Sequence, residues 1–409
     1  MRPSQTAHSL LAASAALALA LSSGVAGAAA ADGDSDSDGD PSLNPLRYSA
    51  RSLIEGMAQP MEFEVAPDGR IFIIELGGKV KLLKPDGAVL LAAEIEVFAA
   101  QENGLLGLAL DPAFAANGWL YLMYSPPNFD GQRISRFTVE GDALDRKSET
   151  VILEWGTQRH ECCHHAGCME FGPDGNLYAA TGDNTHPHAD SGGYAPIDER
   201  PDRGPWDAQK SAANPGDLRG KILRIKPKPE GGCEIPPGNL FPPGTPGTRP
   251  EIYAMGCRNP WRMTIDPATG FVYWGEVGPD AGGDSERGPR GYDEINQARG
   301  PGNHGWPYFI ADNQPYADFD YVAMKAGPRF DPAKPRNRRQ QHRAQGPAAR
   351  RARFHLLYVW QVRALVGAGR RRAHRLPASA VFHFKDSFRE TGGFPERYDG
   401  CLLFFDWQR

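Results

Sequence analysis

Residues 61–74 (MEFEVAPDGRIFII), 169–180 (MEFGPDGNLYAA) and 263–274 (MTIDPATGFVYW) repeat one phrase. Each joins a short apolar strand to a turn rich in Pro, Asp and Gly, followed by a second strand of alternating aromatic and aliphatic residues. Proline presets φ at the first turn position, and glycine takes the positive φ that a tight hairpin needs. A looser copy occupies 106–124 (LGLALDPAFAANGWLYLMY). Alternating runs at 79–83 and 221–225 supply third strands. Four strands recurring every 40 to 50 residues or so mark a β-propeller. A β-sandwich shares the hairpins, but the recurrence selects an all-β propeller of four-stranded blades.

Working outward, copies fall near 61–90, 106–153, 169–226 and 251–297, with a partial one at 380–407. Long Gly/Pro loops at 182–217 and 276–305 stretch the spacing. A propeller closes when its last blade meets its first, so four blades and a fraction predict a propeller incomplete in this chain. Composition agrees with many short strands: Gly (47) and Pro (36) make up about a fifth of 409 residues, and 40% of residues are hydrophobic. The net charge of −5 gives no reason to expect a nucleic-acid partner.

The N-terminus reads as a signal peptide over 1–31. Arg2 precedes an apolar run at 10–21, too short to span a bilayer comfortably, and Ala26, Ala28 and Ala30 offer cleavage sites. The expected location is exported, periplasmic or extracellular, with no transmembrane segment after signal removal. Residues 32–46 form an acidic linker. Their D-x-D-x-D-G start resembles a calcium loop, but the twelfth position counted from Asp34 is Pro45 rather than Glu. The remainder, 47–409, is read as the partial propeller.

Residues 336–375 do not match it. They hold 12 of the 45 basic residues, all Arg, with no Lys, Asp or Glu, leaving 33 basic residues elsewhere against 50 acidic ones. An Arg/Ala/Gly/Pro/His bias is what GC-rich coding DNA gives out of frame. The stretch is read as anomalous, belonging to no blade, in preference to an anion-binding insertion.

Six cysteines, Cys162, Cys163, Cys168, Cys233, Cys257 and Cys401, permit fifteen full disulfide pairings in an exported chain. Adjacent Cys162 and Cys163 suit one tetrahedral ion poorly, which favours disulfide use for at least one of them. With His160, His164, His165 and Cys168 nearby, a zinc or copper site is the alternative. No C-x-x-C-H occurs, so no covalent c-type haem is expected.

Polar phrases stand at the strand ends: Gln101-Glu102-Asn103-Gly104-Leu105-Leu106-Gly107, His164-His165-Ala166-Gly167, Gly256-Cys257-Arg258-Asn259-Pro260 and Gly278-Pro279-Asp280. The last continues to 292–296 (YDEIN) and 302–307 (GNHGWP). In this order they resemble the soluble pyrroloquinoline-quinone-dependent glucose/sorbosone dehydrogenases, from about Met61 to Arg409 outside the Arg-rich stretch. The resemblance implies a six-bladed propeller that oxidises a sugar or related polyol by hydride transfer to pyrroloquinoline quinone, with calcium. A separate electron acceptor is implied by the missing haem motif.

Under that resemblance His164 is the general base, and an imidazole titrating near neutrality suits the role. Arg258 and Asn259 stand beside the quinone, where a guanidinium would stabilise growing negative charge. The other reading of Arg258 is a blade cap bonded to backbone carbonyls. The carbonyls of Gly278 and Pro279 would hold calcium. Glu102 occupies a cofactor-site position where the family has Gln. Gln101 lies one place early, where a strand would point it to the opposite face. The family's cofactor-contacting Lys falls at about Gln408, and its carboxylate-clamping Arg residues lie beyond Arg409, so the cofactor site is expected to be incomplete. The rival readings are a non-catalytic carbohydrate- or protein-binding propeller and an inactive fragment of the enzyme.

Overall fold

The computed structural model describes residues 51–334, 378–381, 383, 385 and 396–404. The leader at 1–31, the linker at 32–46, the Arg-rich stretch at 336–375 and Gln408 lie outside them. Blade 1 is β1 (Pro60–Val65), β2 (Ile71–Glu75), β3 (Lys79–Leu83) and β4 (Val89–Glu94), hydrogen-bonded in that order. Blade 2 is β5 (Leu105–Leu110), β6 (Trp119–Tyr124), β7 (Gly131–Glu140) and β8 (Ala143–Gly156). The helix α1 (Phe114–Asn117) closes the β5–β6 turn.

Blade 3 comprises β9 (Ala166–Phe171), β10 (Leu177–Thr181) and β11 (Lys221–Pro227), with β12 (Cys233–Glu234) paired on the end of β11. Its fourth strand is β13 (Ile252–Met255), antiparallel to β11 with Lys221 opposite Met255. The repeat count ended this copy at 226 and gave 251–255 to the next. That boundary is corrected: the excursion at 228–250 returns the chain to the same sheet before blade 4 begins. Blade 4 holds β14 (Pro260–Ile265), β15 (Val272–Glu276) and β16 (Glu294–Ala298). The short strand β17 (Gly302–Asn303) then runs parallel to β13. Two small hairpins follow, β18 (Phe309–Ile310) with β19 (Gln314–Pro315), and β20 (Ala317–Asp320) with β21 (Lys325–Arg329). A further antiparallel pair, β22 (Ala378–Val381) and β23 (Leu402–Phe404), begins another sheet.

The inner strands stand side by side in chain order, β1 against β5, β5 against β9, β9 against β14 and β14 against β22. This radial series is the propeller. Strand period explains how the gaps fill, because successive side chains point to opposite faces. From β6, Leu120 and Leu122 pack toward blade 1, while Tyr121 and Met123 pack toward blade 3. From β10, Leu177 and Ala179 join the blade 2–3 core, while Tyr178 and Ala180 join the blade 3–4 core. A blade buried on both faces therefore needs the continuous apolar run that the repeats show. Close approach decides one position. A Cβ on Gly107 would lie 1.9 Å from the Gly167 carbonyl oxygen, so two glycines of the polar phrases are spacers between β5 and β9.

Candidate active site

An inner strand begins, and its antiparallel second strand ends, at the same edge of a blade. Residues just before β5, β9 and β14 and just after β10 and β15 therefore collect at one end of the propeller. Glu102, His164 and Arg258 come from the first set, and Asp183, Gly278 and Pro279 from the second.

His164 is 4% exposed. Its Nδ1 lies 2.7 Å from Asp183 Oδ1. Asp183 is fully buried, and its other oxygen accepts the indole N–H of Trp306 at 2.7 Å. The Thr185 amide adds a bond of 3.0 Å to Oδ1. Burial alone would raise the Asp183 carboxyl, but the His164 ring and then the Arg258 guanidinium overcome it and hold the group below its ordinary range. A carboxylate on Nδ1 fixes the tautomer with the proton on Nδ1. Nε2 is left as the basic lone pair, with no hydrogen-bond partner among the described residues. The neighbouring His165 is pushed down to about 3, chiefly by burial, and stays neutral.

Arg258 continues the same network. Its carbonyl accepts the Asp183 amide at 2.7 Å. Its guanidinium donates to the Val277 carbonyl at 2.8 Å and to Asp280 Oδ2 at 3.2 Å, so it grips both flanks of Gly278-Pro279. Glu276 Oε1 accepts the amides of Arg258 and Asn259 at 2.8 and 2.5 Å. Asn259 Oδ1 accepts the Ala166 amide at 3.0 Å, tying blade 4 to the strand that follows His164.

Glu102 Oε2 accepts the His164 amide at 2.6 Å. The strand-face argument about Gln101 is corrected here. Gln101 and Glu102 sit in a turn with φ of 53° and 68°, so strand alternation does not govern where they point. Cys162 and Cys163 adjoin in the loop before β9, and Cys168, Cys233, Cys257 and Cys401 are free thiols. Cys168 Sγ turns to Glu62 and the Met263 carbonyl. Glu102, Cys162 and Cys163 bring possible ligand atoms within 4.8 Å of one another.

For a hard cation, Gly278 and Pro279 offer two main-chain oxygens, of which that of Pro279 faces Gly291, where a Cβ would lie 1.6 Å from it. Gly278 and Pro279 are buried, and among the described residues no donor reaches either carbonyl oxygen. Buried unpaired carbonyls are the ligands calcium takes. For a planar anionic cofactor, Arg258 and Trp306 supply a guanidinium and a ring 5.9 Å apart. Asp183 and Glu276 were not among the site residues read from the sequence, and Trp306 was picked out only as part of the 302–307 phrase. The one signal was Thr181-Gly182-Asp183-Asn184, an acid at the end of an apolar strand.

Blades ranged about an axis, with a buried His164–Asp183 pair at one end, define a β-propeller. The chain belongs to the glucose/sorbosone dehydrogenase family, whose family model matches residues 57–336. It is 30% identical over 268 residues to an uncharacterized protein of Synechocystis, covering 62% of this chain and 58% of that one. Quinoprotein glucose dehydrogenase B of Acinetobacter calcoaceticus is 26% identical over 290 residues, covering 68% and 56%. Human Hedgehog-interacting protein is 26% identical over 245 residues, covering 54% and 32%. The chain thus spans between about a third and three-fifths of these relatives. A solved glucose dehydrogenase superposes with a TM-score of 0.50 at 25% identity, covering 64% of this chain and 67% of that one.

Proposed function

We propose that the chain carries the site of a quinone-dependent dehydrogenase acting on a sugar or related polyol. The observation that carries this reading is the Trp306–Asp183–His164 series beside Arg258 and the Gly278–Pro279 carbonyls. His164 Nε2 takes the proton of the substrate hydroxyl, and Asp183 stabilises the imidazolium that results. The Gly278 and Pro279 carbonyls would hold calcium, and Arg258, Asn259 and Glu102 border the cofactor. Bound pyrroloquinoline quinone would supply a two-electron acceptor for the hydride, polarised by the metal. Sugar choice resides in loop shape. The leader at 1–31 supports action outside the cytoplasm, and the missing haem motif supports a separate electron acceptor.

A second reading, a propeller that binds without redox chemistry, is favoured by the engagement of Arg258 with Asp280, which offsets its charge, and by the likeness to Hedgehog-interacting protein. One experiment separates them. The protein with its C-terminus restored in frame, incubated with calcium and pyrroloquinoline quinone, should show quenched fluorescence from Trp306 and reduce a dye with aldoses. His164→Ala should abolish turnover and keep cofactor binding, because a general base acts in the transition state. No quinone binding at millimolar calcium, or full activity in His164→Ala, would overturn the dehydrogenase reading in favour of the binder.

A further inference from the structure

Lys221 is fully buried at the start of β11. Its ammonium donates to three main-chain carbonyls, those of Ser211 at 2.8 Å, Ala212 at 3.0 Å and Arg219 at 2.7 Å. All three partners are neutral. An aliphatic side chain would fill the same space without the desolvation cost of a charge. That cost shows in the amine's basicity, which burial pushes down to about 7 against the opposing charge of Asp217. The return on it lies in the carbonyls, since three dipoles converging on one point repel one another unless a cation stands between them.

What the ammonium braces lies beside Asp183. Lys221 stands opposite Thr181, the last residue of β10, and its amide donates to Thr181 Oγ1 at 3.1 Å. The adjoining Gly220 amide donates to the Gly182 carbonyl at 2.8 Å, which holds the peptide that enters Asp183. On the other side, Ala212 packs in the cluster around Trp306, whose indole N–H bonds Asp183 at 2.7 Å. The two sides meet, because a Cβ on Gly220 would lie 2.7 Å from the Ala212 Cα. One ammonium therefore ties the main chain carrying Asp183 to the wall behind the indole that bonds its carboxylate. We propose that Lys221 is a positioning residue for the Asp183–His164 pair, its ammonium serving as a built-in monovalent cation that locks the 211–220 loop against the end of β10. The consequence for turnover rests on the dehydrogenase reading; the consequence for His164 does not.

The test compares Lys221→Met, which keeps most of the volume and removes the donors, with Lys81→Met, which removes an ion pair to Glu75 in blade 1. By NMR at about pH 6, where the amine is protonated, the unaltered protein should show a far-downfield Nδ1 proton on His164, the mark of a bond to a buried carboxylate. Lys221→Met should lose that proton, and Lys81→Met should keep it, although both variants melt at lower temperature. In the cofactor-loaded protein with its C-terminus restored in frame, Lys221→Met should lower kcat by about 100-fold, with KM for the sugar changed by less than about twofold. Should Lys221→Met fail to fold, the unaltered chain decides: the Lys221 ammonium protons should exchange slowly and correlate with the carbonyl carbons of Ser211, Ala212 and Arg219. Absence of those correlations, a downfield proton unchanged in Lys221→Met, or one lost equally in Lys81→Met, would overturn the proposal. If no form oxidises sugars while the downfield proton still responds to Lys221→Met, the function falls and the positioning role stands.

Discussion

At the scale of single residues, the site depends on which nitrogen of His164 carries its proton. Asp183 makes that choice, and Trp306 and the Thr185 amide prevent the carboxylate from turning away. Asp183→Asn keeps the shape but presents an amide N–H to Nδ1, which forces the proton onto Nε2. With cofactor bound, kcat should fall about a thousandfold or more, while quinone binding, read by fluorescence, stays within about twofold. Because the Asp183 carboxyl is held below its ordinary range, the pairing persists through neutral pH and is lost only as pH falls through that lowered value. An unchanged kcat would remove Asp183 from the machinery. His164, Arg258 and Gly278-Pro279 could be picked out from the sequence because they sit in short phrases of fixed order. Asp183 could not, since one acid among 50 acidic residues acquires its role only when β10 ends beside the loop before β9.

At the scale of elements, the polar phrases have a packing duty. Gly107 and Gly167 let β5 and β9 approach until a side chain would collide with backbone. Gly107→Ala should therefore destabilise the protein by about 3 kcal/mol, the upper range for overpacking. Gly282→Ala meets nothing within 4 Å and should change stability by less than about 0.5 kcal/mol. Urea denaturation of the pair checks this; equal midpoints would refute the spacer role. The repeats predicted strand order in blades 1 and 2 because their turns are short. Blade 3 defeated the count, since β13 returns only after the excursion past β12 and carries no turn signal of its own.

At the scale of the whole molecule, stability should peak in mildly acidic solution. Glu62 and Glu64 of β1 and Glu170 of β9 meet between the inner strands. Glu62 accepts the Leu108 amide at 3.0 Å and approaches Cys168 Sγ at 3.1 Å. Arg262 reaches across from β14 to the Met61 carbonyl. Burial raises all three carboxyls, Glu170 to about 8. A carboxyl whose folded pKa is raised contributes stability below its unfolded pKa and loses it as pH rises through the folded one. The buried imidazoles act oppositely. His165 and His304 are pushed down to about 3 and about 4 by burial, so protonation of the unfolded chain costs stability as pH falls below 6.5. Melting temperature should peak at about pH 5, because the carboxyl losses begin above the ordinary value of 4.5 and three carboxyls outweigh two imidazoles. Glu170→Gln should flatten the alkaline limb, and His304→Gln the acid limb. A melting temperature rising steadily to pH 8 would contradict the buried-carboxyl account.

The amino-acid sequence by itself determined the class of fold, because strand period and turn chemistry are local and repeat within a few residues. It also determined the family phrases and the vicinal position of Cys162 and Cys163. Only the tertiary structure decided that blade 3 ends with β13, that Glu102 bonds the His164 amide from a left-handed turn, and that Glu62 joins the inner strands. It also paired Asp183 with His164 and Trp306. These are contacts across 19 and 123 residues, fixed by where neighbouring strands end, and no local pattern records where a strand's end will lie beside another's beginning.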